Sequence, residues 1–74
     1  MDSDDDIIRF KVMETLMNIP ATTPWLTTVE VLSGVVELNG TIQDEIALKT
    51  SRVAIEQIAY VVRVNDHRSI LQPY

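Results

Sequence analysis

From Val29 to Ile42 the chain reads VEVLSGVVELNGTI, and polar and apolar residues alternate along much of it. Val36, Leu38 and Ile42 alternate with Glu37, Asn39 and Thr41, the period of a strand with one buried face. Val29 and Val31 flank Glu30 in the same way, so two strands folded back at Ser33-Gly34 are expected. Asn39-Gly40 is a competing turn signal. A turn there would leave no apolar strand after it, and Gly40 is in phase with Val36, Leu38 and Ile42 on the inward face. An inward glycine in a strand marks close approach by another element, and the helix that follows is the expected neighbour.

The segments on either side carry a helical period. Ile8, Val12 and Leu16 recur at i, i+4 and i+8, giving a core stripe for a first helix that ends near Met17 or Asn18, ahead of Pro20. Ser3 or Asp4 caps it, and the carboxylates of Asp4, Asp5 and Asp6 sit where the helix dipole favours negative charge. Phe10, Met13 and Met17 form a second stripe on another side. That stripe either packs under the Pro20 to Trp25 loop, within and just after the connector Ile19 to Pro24, or stays exposed and docks on a partner. Trp25 ends the connector, as a lid on the core or as an anchor for an interface.

A second helix is capped by Asp44 and ends near Ala59 or Tyr60. Ala47, Ser51, Ala54, Ile55 and Ile58 share its inward face, with Leu48 at the flank. The small residues Ala47, Ser51 and Ala54 match the inward Gly40, so helix and hairpin are expected to meet closely there. Val61 to Ile70 forms a third strand, apolar at first and polar through Asn65, Asp66, His67, Arg68 and Ser69, as an edge strand would be. The crossover from Asp44 to Tyr60 is long enough to lay it parallel to the second strand. The expected fold is α+β, in the order αββαβ: a small three-stranded mixed sheet with two helices on one face. Gln72-Pro73-Tyr74 is expected to be a frayed tail.

Seventy-four residues make a single domain over 1–74, its core about 4–71, with a modest stability margin. Cysteine is absent, so neither a disulfide nor a thiolate metal site is available. No apolar run is long enough to span a membrane and no signal peptide is evident, so the compartment is left open. The net charge of −5 is uneven: residues 1–45 carry −7 and residues 46–74 carry +2. An acidic chain is repelled by nucleic acid and by anionic headgroups at long range. Lys49, Arg52, Arg63 and Arg68, in the second half, are the residues that would contact headgroups at a membrane surface.

Nothing in the pattern performs a reaction. His67 is the sole histidine, and as strand neighbours it and Asp66 point to opposite faces. The serines lack a glycine-elbow context, and no glycine loop, zinc spacing or calcium loop is present. The expectation is a non-enzymatic module without metal or cofactor.

The chain resembles the BON domain, a small bacterial module found singly or in tandem in envelope proteins and appended to other domains. The resemblance is carried by Asp5, Ile8, Val12 and Leu16 in the first helix. Val29-x-Val31 follows, then Gly34-Val35-Val36-x-Leu38-x-Gly40-x-Ile42. Ala54, Ile58-Ala59 and Val61-x-x-Val64 complete it, so nearly the whole chain is covered. The glycine usual before the family's last strand is Tyr60 here. Arg68 stands at an apolar position and is expected to be exposed. Trp25 and Val64-x-Asp66-His67 are similar to members that follow a pair of CBS domains. The resemblance implies phospholipid binding, or attachment of proteins to membranes and partners, without catalysis. The Phe10, Met13 and Met17 stripe, with Trp25, is expected to meet a protein partner, a fused neighbouring domain or a second copy in a homodimer. The resemblance also implies a cytoplasmic setting for a complete or CBS-associated chain and a periplasmic one for a piece of an envelope protein.

Overall fold

The computed structural model of the chain describes residues 3–19 and 26–71. The connector beyond Ile19, Trp25 and the tail Gln72-Pro73-Tyr74 lie outside them. The elements run α1 (Ser3–Asn18), β1 (Thr27–Leu32), β2 (Val35–Ile42), α2 (Glu45–Glu56), β3 (Arg63–Asp66) and β4 (Ser69–Ile70). This is the expected α+β arrangement of two helices and a mixed sheet.

β1 and β2 pair antiparallel, with Leu32 opposite Val35 across the Ser33-Gly34 turn. Both turn residues have positive φ, 52° at Ser33 and 80° at Gly34. That backbone matches the right-handed twist of the strands, so the chain reverses there and not at Asn39-Gly40. β2 is central, with β1 on one side and β3 parallel on the other. The expected third strand comes in two pieces. β3 pairs with Val35 to Leu38 and β4 with Thr41 and Ile42, at one constant offset. The break at His67-Arg68 therefore falls opposite Asn39-Gly40, where β2 departs from regular strand geometry.

α1 and α2 cover the same face of this sheet. Ile8, Val12 and Leu16 of α1 meet Val31 of β1, Val36 and Leu38 of β2, and Ile55 of α2 in one buried cluster. Met13, Val29, Ile58, Val61 and Val64 close around it. Each large side chain fully buried there contributes about 1.5–3 kcal/mol, so a few positions hold the domain together. Asp44 caps α2 by accepting from the Ile46 N–H at 2.9 Å, and the Gln57 N–H closes its other end onto Ala54 and Ile55. Ser51 is buried with its hydroxyl satisfied, since it donates to the Ala47 carbonyl at 2.7 Å.

Gly40 lies within β2, half-buried and in phase with the inward residues, but its close neighbour differs from the expected one. A Cβ at Gly40 would stand 2.0 Å from the Leu26 carbonyl oxygen and 3.0 Å from Thr27 Cα. The backbone entering β1, and not α2, fills the space. Thr27 is the register partner of Gly40, so the hairpin's open end is drawn together there. The small residues of α2 instead let that helix settle over the sheet through Ala47, Ser51 and Ile55, all buried.

Candidate interaction surface

α1 presents apolar side chains away from the core as well as into it. With Ile8, Val12 and Leu16 inward, Ile7, Phe10 and Met17 stand on the outer side, Phe10 68% and Met17 71% exposed. Phe10 and Met17 are two helical turns apart and so lie on one stripe. Met13, expected between them, is half-buried and packs against the core. Ile7 was not part of the predicted stripe, although its position beside Ile8 and three residues before Phe10 places it on that side. Asp6 and Arg9 border the stripe as an exposed pair at 3.3 Å.

The four cations expected to face a membrane surface do not form one patch. Lys49 is on the exposed side of α2, 3.5 Å from Glu45. Arg63 opens β3, where strand alternation turns it away from the helices, since its neighbour Val64 packs on the core. Arg52 is half-buried on α2. Arg68 is not exposed at all: its side chain is fully buried and that of Asp66 is 6% exposed.

Arg68 and Asp66 form a fork. Arg68 Nε donates to Asp66 Oδ1 at 2.9 Å and Nη2 to Oδ2 at 2.7 Å. Nη2 also donates to the Leu48 carbonyl of α2 at 3.3 Å, tying the broken edge strand to the helix. Burial opposes ionisation of Asp66. The hydrogen bonds and charge of Arg68, with the charge of Arg52 behind them, outweigh it and hold the carboxyl below its ordinary range. Arg68 is buried because its charge is matched at once, two residues away. Nη1 is left without a hydrogen bond among the described residues.

On the open face of the sheet, Glu37 faces Glu30 across the β1–β2 ladder and Asn65 across the β2–β3 ladder. Asn65 donates to Glu37, and His67 Nε2 lies 3.0 Å from the other carboxylate oxygen. These hydrogen bonds, from Asn65 first and His67 second, lower the Glu37 pKa. Asp66 and His67 thus engage opposite sides of the sheet and do not form a dyad. Among the described residues there is no group of three or more side chains suited to a metal, and no helix long and apolar enough to cross a membrane.

No protein-family model matches this chain, and no curated protein matches it.

Proposed function

We propose that this chain is a non-catalytic interaction module of BON-like design, docking on a protein partner or a neighbouring domain through the outer side of α1. The observation that carries this reading is the exposure of Phe10 and Met17 on one stripe of a helix whose opposite stripe fills the core. Large apolar side chains grouped on a small acidic surface favour a protein contact, and methionine adapts to the shape it meets. The burial of Arg68 against Asp66, with Arg52 half-buried and Arg63 turned away from the helices, weakens the alternative, a peripheral phospholipid-binding module. Electrostatic attraction to anionic lipid needs cations gathered near one surface.

Phe10→Glu and Met17→Glu test the reading directly. As contact residues they leave the urea unfolding free energy within about 0.5 kcal/mol of the parent chain. Destabilisation above about 2 kcal/mol would make the stripe ordinary core and end the proposal. Any association beyond monomer in sedimentation equilibrium should fall in both variants. A blue shift of tryptophan emission on anionic phosphatidylglycerol vesicles, abolished by salt, would favour the lipid reading instead.

A further inference from the structure

We propose that the outer edge of β1 takes up an extended, basic segment of a partner as an additional strand. The inference concerns a different surface from Ile7, Phe10 and Met17 and stands without it. β1 lies at one edge of the sheet, and half of an edge strand's backbone N–H and C=O groups point away from its neighbour. The two edges are not protected alike. The β3–β4 edge is short, broken at His67-Arg68 and opened by Arg63, all of which discourage strand addition. β1 runs six residues without proline or lysine, and Glu30 is its only charge.

A groove of about 460 Å³ follows that strand, lined by Val29, Glu30, Val31 and Leu32 with Arg9 and Glu37 at its sides. An added strand would set alternate side chains against Val29 and Val31 on one face and Glu30 on the other. The charge selects the occupant. Glu30 stands directly opposite Glu37, which already has Asn65 and His67. Glu30 makes no ion pair among the described residues, and Arg9 is engaged by Asp6. A lysine or arginine beside Glu30 would match a carboxylate that has no cation of its own among the described residues. A second copy brings another Glu30 and a further net charge of −5, so it is the poorer occupant.

The test uses the full chain and a capped six-residue peptide of alternating lysine and valine, with a glutamate–valine peptide as control. The expected result is slowed amide hydrogen exchange at alternate positions of Thr28–Leu32 with the basic peptide alone, weakening as salt rises. Glu30→Lys should lower the affinity about tenfold while the chain stays folded. Glu30→Gln should fall between the two. The proposal is overturned by peptide binding without protection in β1, by affinity indifferent to Glu30→Lys, or by no binding. Protection of β1 that grows with protein concentration and no peptide would assign the edge to a second copy, which also overturns it.

Discussion

The carboxylate of Asp5 in α1 accepts the backbone N–H of Gly34 at the hairpin turn, 3.0 Å away, and that of Ser33 at 2.9 Å. Helix and turn are thereby fixed to each other by a residue buried at the start of α1. Both donors belong to a turn with positive φ, which for Ser33 costs about 1 kcal/mol, and the carboxylate offsets that cost.

Asp5→Ala should therefore leave two turn N–H groups without their acceptor and destabilise the domain by about 2 kcal/mol. In a domain of this size that is a fall of roughly 10 °C in Tm, readable by circular dichroism. Asp5→Asn keeps one acceptor oxygen and should recover part of the loss. If Asp4→Ala and Asp6→Ala prove as damaging as Asp5→Ala, the role is a helix-terminus charge and not the turn contact.

Tyr60 and Gly34 make a second testable pair. Tyr60 holds φ at 72°, in the left-handed region, and is 77% exposed. Its carbonyl oxygen would stand 2.8 Å from a Cβ at Gly34. Glycine at 60 removes the backbone strain and loses little packing, so Tyr60→Gly should stabilise the domain by about 0.5–1 kcal/mol in urea unfolding. Gly34→Ala should do the opposite, by about 2 kcal/mol or more, because φ at Gly34 is +80° and the Tyr60 carbonyl facing its Cβ position is backbone that cannot turn aside. Destabilisation by Tyr60→Gly would show that the tyrosine ring packs usefully after all.

What the sequence revealed and what it hid follow from the range of the interactions. Alternation from Val29 to Ile42 is a local pattern, and it was enough to place the turn at Ser33-Gly34 and to turn Gly40 inward. Which element would meet Gly40 depends on how distant segments pack, and the small face of α2 pointed to the wrong one. Asp5 is one of three successive acids, so composition offers a dipole-favoured terminus and gives no sign that one of them reaches the hairpin. Arg68 looks like a surface residue until Asp66 is seen to curl back onto it, a contact of two residues' span that strand alternation does permit. On α1, Phe10 and Met17 were readable as a second stripe, whereas the inward lean of Met13 depends on how the core closes around α1.

The buried fork predicts a strongly non-additive pair. Arg68→Met removes the cation and leaves the Asp66 carboxylate buried without its counter-charge, which should cost about 3 kcal/mol or more. Replacing both residues, Asp66→Leu with Arg68→Met, should restore most of that stability, since no charge is then left unmatched. A double-mutant cycle by urea unfolding measures it. Additive losses would mean that the two side chains act independently, against the geometry.

Acidification should weaken the domain through the same carboxyl and through Glu37. Both have pKa values lowered in the folded state, Asp66 by Arg68 against the opposing effect of burial, and Glu37 by its hydrogen bonds to Asn65 and His67. The unfolded chain therefore binds protons first as pH falls, and stability drops wherever the unfolded state holds more of them. The contribution is complete above the ordinary values, 4.5 for Glu37 and 3.8 for Asp66. It is lost as pH descends through the lowered folded values. The urea midpoint should thus be flat with respect to these two groups from about pH 7 to 5 and fall below about pH 4.5. Glu37→Gln and Asp66→Asn should each flatten the acid limb. Asp66→Asn should do so at a lower overall stability, because Arg68 loses its counter-charge in a buried place. A midpoint that rises on acidification in the parent chain would contradict the assignment of both carboxyls.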